Sequence, residues 1–191
     1  MLIHLAIFAS GSGTNAQKII DRFINHPRIR VALVVCNRPE AGVLGIASAS
    51  AIPTLLIARE RFLRGDAYLP ELKAQQIDWI ILAGFLWKLP PALVEAYPSH
   101  ILNIHPALLP AYGGKGMYGH FVHEAVVAAG EPASGITIHL VDEHYDHGKT
   151  VFQASCPLDP GETAESLARK VQALEHRYYP EVIERTVLAG S

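Results

Sequence analysis

The chain has 191 residues, of which 50% are hydrophobic and 18% are charged. This length is enough for one large domain with a substantial core, and this composition excludes a disordered protein. The formal net charge of −2 creates no overall field that attracts nucleic acid or anionic lipid. We therefore expect neither as a partner, and a bound anion needs a local site.

Two features of the sequence bear on its compartment. The first residues carry no basic leader, and their apolar run ends at a glycine turn after about eight residues, too short for a signal core or a membrane span. The two cysteines, Cys36 and Cys156, lie far apart in predicted buried strands, which suggests a reducing compartment. We expect a cytoplasmic protein with no membrane partner.

Strand and helix patterns alternate through the first half of the chain. Helical patterns separate the strands, and the helical pattern over residues 59–76 is interrupted near Gly65 and Asp66. Such alternation is typical of βαβ units on a parallel sheet. Short apolar runs predict buried strands at residues 2–9, 31–36, 53–57, 79–83 and 101–105.

The pattern changes after residue 105. The remaining predicted elements are a loop (110–119), a helix (120–129), two strands (135–141 and 150–156) and a final helix bent near Pro180 (163–188). The two strands flank a loop too short for a crossover helix, so they are predicted to be antiparallel. The sequence predicts one α/β domain over residues 1–191. Its open, Rossmann-like sheet is mostly parallel and flanked by helices, with an antiparallel strand pair near the C-terminus.

A glycine turn follows the first predicted strand and opens the first predicted helix. The unpaired N–H groups of such a turn and the helix dipole favour an anion, and glycine lets the backbone approach a ligand closely. We therefore expect a phosphate here; the alternative is a tight turn in which Thr14 only caps the helix. The residues of this candidate site are Gly11, Ser12, Gly13, Thr14 and Asn15.

The same residues also match the dinucleotide fingerprint, as Gly11-x-Gly13-x-x-Ala16. That fingerprint needs an acid at the end of the second strand to bind the ribose hydroxyls. In this chain that position falls around Cys36 and Asn37, and the first acid after it is Glu40, which lies beyond Pro39. The Gly-Lys-Ser/Thr ending of a nucleotide P-loop does not occur either. A monophosphate therefore fits the turn better than NAD or ATP.

Polar residues interrupt the fifth predicted strand at its carboxyl end. Asn103 and His105 are two residues apart, so their side chains point to the same face. Pro106 then ends the strand, and ligands of open α/β sheets bind at this end. The alternative is a core histidine beside a turn asparagine, which is the commoner case when the two residues are taken alone.

The loop over residues 142–148 carries three acids between the last two strands. It is solvated surface unless it folds over Asn103 and His105. In the folded arrangement, one carboxylate raises the pKa of His105 so that the imidazole donates a proton near neutral pH. Asn103 then donates to a developing oxyanion. Such a trio suits acyl transfer to a nucleophile that the substrate supplies, because no serine or cysteine lies in a recognisable nucleophile motif.

Seven of the ten histidines lie between residues 100 and 147, which raises a zinc hypothesis. No HExxH or paired CxxC motif occurs, and the spacing of His139, His144 and His147 matches no common zinc motif. His120 and His123 fit the exposed start of a helix. We expect a site without metal.

Five segments together resemble the phosphoribosylglycinamide formyltransferases, a family of folate-dependent enzymes of purine biosynthesis, over almost the whole chain. In chain order they are SGSGTN (10–15), AGF (83–85), LNIHPALLP (102–110), a threonine-to-glycine segment (137–148) and QALEHRYYP (172–180). The resemblance implies a transferase that moves the formyl group of 10-formyltetrahydrofolate to the amine of N1-(5-phosphoribosyl)glycinamide in de novo purine (IMP) biosynthesis. It also implies direct acyl transfer through a tetrahedral intermediate, small-molecule substrates, and a monomer or homodimer.

The resemblance assigns roles by position. Asn103, His105 and Asp146 match the catalytic amide, the proton donor and the carboxylate that raises the pKa of that donor. Residues 11–15 match the phosphate loop, while Gln172 and Glu175 match a segment that contacts the ribose or glycinamide. The matches on the folate side are Arg59, Leu86, Trp87, Lys88, Leu89, Asn103, Asp142, Glu143 and Asp146. The half over about residues 1–100 then binds phosphate, and the half over residues 101–191 carries catalysis and folate binding.

The chain departs from the family's pattern at three places. The loop over residues 113–119 looks longer than in many members, His147 stands where a glycine is common, and Trp87 and Lys88 replace a basic-apolar pair. We expect these differences to affect folate affinity and loop motion rather than the chemistry.

Other functions remain open on the sequence alone. A formyltetrahydrofolate hydrolase, or another folate formyltransferase such as one acting on methionyl-tRNA, keeps the fold and changes the acceptor. The phosphate turn argues against both, and no basic second domain for tRNA is evident. A third hypothesis is a non-enzymatic nucleotide- or dinucleotide-binding module.

Overall fold

The structure is a computed structural model that describes residues 1–65 and 68–190. Within these residues, seven strands form one sheet in the order β3-β2-β1-β4-β5-β6-β7. The strands are β1 (Ile3–Ala9), β2 (Ile29–Cys36), β3 (Thr54–Leu56), β4 (Trp79–Leu82), β5 (Ile101–His105), β6 (Ala133–Leu140) and β7 (Thr150–Pro157). The helices are α1 (Thr14–Phe23), α2 (Gly42–Ala49), α3 (Arg59–Leu63), α4 (Leu69–Ala74), α5 (Pro91–Ala96), α6 (His120–Ala128) and α7 (Ala164–Ala189).

Strands β1 to β5 pair in parallel, as the alternating pattern predicts. β1 lies at the centre of this half, and β1 and β4 are almost entirely buried. Parallel strands covered on both faces need such continuous apolar runs. Their carboxyl ends meet at one edge of the sheet, so β1, β4 and β5 bring the glycine turn, the loop after Leu82 and Asn103 to the same edge.

β6 runs antiparallel to both β5 and β7. Its pairing with β7 confirms the predicted antiparallel pair. Its pairing with β5 sets Asn103 opposite His139 and His105 opposite Thr137. Directly opposed residues point to the same face, so this register brings a second histidine to the side of Asn103.

Helices cover both faces of the sheet and divide the core into two clusters. On one face, α1, α2, α6 and α7 bury side chains such as Ile19, Val122 and Ile183 against the strands. On the other face, α3, α4 and α5 bury side chains such as Phe62 and Leu93. The predicted flanking of the sheet by helices is confirmed.

α7 packs against α1, α6 and the strands β5, β6 and β7. It begins after a capping box between Thr163 and Ser166 and continues through Pro180. The side chain of Tyr179 is fully buried, and its hydroxyl lies 2.9 Å from the carbonyl oxygen of Leu82 and 3.2 Å from that of Leu102. This contact holds α7 against the end of β4 and the start of β5.

One predicted interruption is confirmed, and one predicted boundary needs correction. The helical pattern over residues 59–76 forms two short helices, α3 and α4, because the chain turns at Gly65 with a φ of +97°. The other residue of the predicted interruption, Asp66, lies outside the described residues. β3 is shorter than predicted, and it pairs only with β2 at the edge of the sheet.

Candidate active site

A cavity of about 680 Å³ opens at the edge where β1, β4 and β5 end. This volume falls in the range of small-molecule sites. Asn103, His105 and Asp146 all line the cavity, so the three predicted catalytic residues are brought together. The loop over residues 142–148 folds over the end of β5, which is the arrangement that the proposed chemistry requires.

His105 is held from two sides. Its Nε2 lies 2.7 Å from the carbonyl oxygen of Tyr112, and its Nδ1 lies 3.7 Å from Oδ1 of Asp146. A carbonyl oxygen only accepts, so Nε2 carries the proton in the neutral ring and Nδ1 presents a lone pair. Nδ1 and the carboxylate oxygen are then both acceptors, which accounts for the long distance between them.

The pKa of His105 lies below its ordinary value of 6.5, mainly because burial disfavours the charged ring. The Asp146 carboxylate and the bond to Tyr112 raise the pKa, whereas the nearby His139 lowers it. The expectation that a carboxylate leaves this imidazole with a raised pKa is therefore wrong for the net shift. It holds only for the contribution of Asp146, and the resting ring is neutral at neutral pH.

Asp146 sits in a left-handed conformation with a φ of +56°. Its Oδ2 accepts a hydrogen bond of 2.9 Å from the N–H of Gly114, which leaves Oδ1 facing His105 and His139. Burial by itself raises the pKa of this carboxyl. The two imidazoles and the Gly114 N–H outweigh that effect and hold the pKa below its usual value. Asp146 is therefore ionised in the resting site.

His139 completes the cluster, and the sequence did not assign it a role. Its Nδ1 faces the carbonyl oxygen of Leu140 at 3.0 Å, so Nε2 is the accepting nitrogen. Nδ2 of Asn103 donates to that Nε2 at 3.0 Å, and Oδ1 of Asp146 lies 3.6 Å away. His139 thus orients the amide of Asn103, whose second N–H remains available for a ligand. The signal for this role is the position of His139 opposite Asn103. That position can be recognised only when the register between β5 and β6 is known.

The glycine turn leaves the start of α1 open. Gly13 has a φ of +82°, and a Cβ there would lie 2.8 Å from Cα of Val43. No side chain caps the helix, so the alternative in which Thr14 serves as the cap is wrong. The turn is solvent-exposed at Gly11 and Ser12, and it therefore offers unpaired N–H groups to a ligand.

α7 connects this turn to the cavity. Nδ2 of Asn15 donates to Oε2 of Glu175 at 2.8 Å, and Nε2 of Gln172 donates to Oγ1 of Thr14 at 3.3 Å. Burial raises the pKa of Glu175. Oδ1 of Asn15 is buried and has no hydrogen-bond partner. Asn15, Gln172 and Glu175 line the cavity, so they form a polar wall between the turn and His105.

The opposite wall is aromatic and apolar. The ring of Trp87 packs against those of Phe62 and Phe85, with centroid distances of 5.7 and 6.2 Å. Nζ of Lys88 lies 5.2 Å from the ring centroid of Tyr145. This cation–π contact connects the loop after β4 to the loop over residues 142–148. Of the residues predicted on the folate side, this cavity is lined by Leu86, Trp87, Lys88, Leu89, Asn103, Asp142 and Asp146.

Two predicted folate-side residues are not brought to the cavity. Arg59, the first residue of α3, and Glu143, in the acidic loop, are both exposed, and neither is part of the cavity wall. In contrast, His123 and the glycine-rich loop over residues 114–119 line it without having been assigned there. The prediction that His123 is exposed is wrong, because it is only 6% exposed.

A metal site requires several ligands close together in the described part of the chain. No group of three or more His, Cys, Asp or Glu side chains there is arranged to hold a metal ion. Both cysteines are free thiols. Among residues 1–65 and 68–190, none of the helices combines the length and apolarity that crossing a membrane requires.

Residues 3–183 match the formyl transferase family. The chain therefore belongs to the formyl transferase family. One relative is similar over almost its whole length. A phosphoribosylglycinamide formyltransferase of Bacillus subtilis is 34% identical over 185 residues, which cover 94% of this chain and 92% of that protein.

Solved structures agree with this membership. The crystal structure of phosphoribosylglycinamide formyltransferase from Bacillus halodurans superposes with a TM-score of 0.88 at 35% identity, covering 98% of this chain and 97% of that one. Glycinamide ribonucleotide transformylase 1 from Geobacillus kaustophilus gives a TM-score of 0.87 at 39% identity, with coverage of 96% and 97%. The fold expected from the sequence is confirmed.

Plant relatives are longer than this chain. A chloroplastic phosphoribosylglycinamide formyltransferase of Arabidopsis thaliana is 40% identical over 188 residues, which cover 94% of this chain and 63% of that protein. The corresponding protein of Vigna unguiculata is matched over 59% of its length.

Proposed function

We propose that this chain transfers the formyl group of 10-formyltetrahydrofolate to the amine of N1-(5-phosphoribosyl)glycinamide in de novo purine biosynthesis. One observation carries the proposal: Asn103, His105 and Asp146 converge in one cavity, between a polar wall next to the glycine turn and an aromatic wall. Family membership and the names of the full-length relatives support the same reaction.

Each wall of the cavity binds a different substrate. The phosphosugar acceptor lies on the side of residues 11–15, Gln172 and Glu175, where backbone N–H groups meet the phosphate and polar side chains meet the ribose or glycinamide. The folate lies against residues 86–89 and Asp142, where aromatic and aliphatic surface accepts a flat ring system. In this division the half over about residues 1–100 supplies the phosphate turn, and residues 101–191 supply the catalytic groups, within one domain.

The resting charges suit direct acyl transfer. The acceptor amine attacks the formyl carbon, and the free N–H of Asn103 stabilises the oxyanion that develops. Nδ1 of neutral His105 takes the proton that the amine loses, and Asp146 stabilises the imidazolium that forms. The lowered pKa of His105 then favours return of that proton to N10 of the folate as the C–N10 bond breaks. No covalent enzyme intermediate is needed.

The partners that follow are small molecules, with the chain acting as a monomer or homodimer in the cytoplasm. A formyltetrahydrofolate hydrolase is the second candidate, because the same three residues serve attack by water. The polar wall from Asn15 to Glu175 favours the transferase, since a water nucleophile needs no such surface.

The test is a comparison of products. Purified protein is given 10-formyltetrahydrofolate with and without glycinamide ribonucleotide, and formylated ribonucleotide and free formate are both quantified. We expect one formylated ribonucleotide for each folate consumed, and little formate when the acceptor is omitted. Formate release that is indifferent to the acceptor would replace the proposal with the hydrolase.

A further inference from the structure

Tyr112 binds the proton-bearing nitrogen of His105, although it lies outside the cavity wall. Its carbonyl oxygen accepts a hydrogen bond of 2.7 Å from Nε2 of His105. The backbone of Tyr112 is left-handed, with a φ of +56°. A bulky residue adopts this conformation only where the surrounding structure enforces it. A contact of Tyr112 elsewhere in the fold must therefore hold its carbonyl in place.

The side chain of Tyr112 makes that contact. Its hydroxyl donates to Oε1 of Glu131 at 2.7 Å, and this carboxylate raises the pKa of the phenol, so the hydroxyl stays protonated and continues to donate. Glu131 is itself fixed by the end of α6. The N–H of Glu131 donates to the carbonyl oxygen of Val126 at 3.4 Å, and Gly130 before it is left-handed. These are features of a capped helix end, which gives Tyr112 a rigid anchor.

The carbonyl of Tyr112 competes with a carboxylate for the one proton of the neutral His105 ring. Nδ1 of His105 lies 3.7 Å from Oδ1 of Asp146, and an ionised carboxylate is a stronger acceptor than a carbonyl oxygen. A proton on Nδ1 would bond to Asp146 and leave Nδ1 unable to accept a proton from the substrate. The hydrogen bond that one ring nitrogen makes decides which nitrogen is protonated. The base is therefore available only while the Tyr112 carbonyl stays within reach of Nε2.

We propose that the hydrogen bond between Tyr112 and Glu131 locks His105 in the tautomer that carries its proton on Nε2. Tyr112 and Glu131 are positioning residues, which act through His105. The same loop donates the N–H of Gly114 to Oδ2 of Asp146 at 2.9 Å, so the anchor also steadies the segment that orients the carboxylate. The effect on rate rests on the proposed function, whereas the tautomer is a property of the free protein.

The test replaces each partner of the bond. Tyr112→Phe and Glu131→Ala remove it, while Glu131→Gln keeps an acceptor oxygen. Long-range proton–nitrogen NMR correlations of the free protein, at a pH where the imidazole is neutral, report which nitrogen of His105 is protonated. We expect Nε2 alone in the wild type and in Glu131→Gln, and a substantial share of Nδ1–H in the other two variants. In those two, kcat falls about tenfold and both KM values stay within about twofold. The double variant is no slower than either single variant, because both changes remove the same bond.

Tyr178→Phe, on α7, is the matched control. It also removes one phenolic hydroxyl, its ring packs against Phe152 at a centroid distance of 5.0 Å, and it lies outside the cavity wall. We expect the tautomer and kcat of the wild type in this variant.

Each result bears on a different claim. An unchanged His105 tautomer in Tyr112→Phe overturns the lock, and so does a Glu131→Gln variant that behaves like Glu131→Ala. A shifted tautomer with an unchanged kcat overturns the role of the lock in the reaction. A tautomer that shifts as expected, in a protein without activity on glycinamide ribonucleotide, supports the lock and overturns the proposed function.

Discussion

Two imidazoles and one carboxylate lie close together at the centre of the site. Nδ1 of His105 and Nε2 of His139 both face Oδ1 of Asp146, at 3.7 and 3.6 Å. Both distances are too long for hydrogen bonds. A proton that arrives on Nδ1 of His105 converts its contact with Asp146 into an ion pair. The cluster is therefore built to receive one proton and release it.

This arrangement predicts how His105 titrates. Because burial outweighs the pull of Asp146, the ring charges only as the pH falls below 6.5. Asp146→Asn removes a contribution that raises the pKa, so the midpoint in this variant moves to still lower pH. Without a carboxylate to stabilise the imidazolium, kcat also falls about 100-fold or more. The measurement is an NMR titration of the His105 ring, assigned by comparison with His105→Ala.

A midpoint above 6.5 in the wild-type protein would show that the carboxylate outweighs burial, as the sequence alone suggested. A midpoint that Asp146→Asn leaves unmoved would remove Asp146 from its role. The sequence could identify this pair but not the sign of the net shift, since desolvation depends on how completely the loop over residues 110–119 covers the ring.

At the scale of elements, Gly13 lies at the start of α1 and packs closely against Val43 of α2. It has a φ of +82°, and a Cβ would approach both Cα and Cβ of Val43 to 2.8 Å. We predict that Gly13→Ala lowers the free energy of unfolding by about 1–3 kcal/mol, because left-handed backbone and close approach both penalise a side chain. It also weakens binding of the phosphosugar, since the turn must shift. Chemical denaturation and KM for the ribonucleotide measure the two effects.

Gly45→Ala, in the neighbouring α2, is the control. A Cβ at Gly45 meets nothing within 4 Å, and alanine in a helix is more favourable than glycine by about 0.5–1 kcal/mol. This variant is therefore expected to be slightly more stable than the wild type. Equal destabilisation by the two substitutions would contradict the account of Gly13.

The elements themselves were largely predictable, because buried strands and amphipathic helices leave periodic patterns. The pairing between β5 and β6 was not, and it alone places His139 beside Asn103. His123 was missed for a related reason: histidines at the start of a helix suggest an exposed position in sequence, whereas the folded chain buries this one. Arg59 was assigned by a weak resemblance, and the structure leaves it exposed on α3.

At the scale of the whole molecule, the parallel half of the sheet and its antiparallel extension supply different parts of one cavity. β1 and α1 carry the glycine turn, the loop after β4 carries most of the aromatic wall, and β5 with β6 carries Asn103, His105 and His139. α7 connects these parts through Tyr179 and Glu175. The site is therefore a property of the whole sheet edge, and the proposed reaction depends on holding both substrates there together.

The most direct test is the rate of formyl transfer by His105→Ala, with 10-formyltetrahydrofolate and glycinamide ribonucleotide both saturating. The account predicts a folded protein, with Tm near that of the wild type, whose kcat is reduced by about 10²- to 10⁴-fold, the range typical of losing a general acid–base group. Turnover close to the wild-type rate in a correctly folded variant would contradict it.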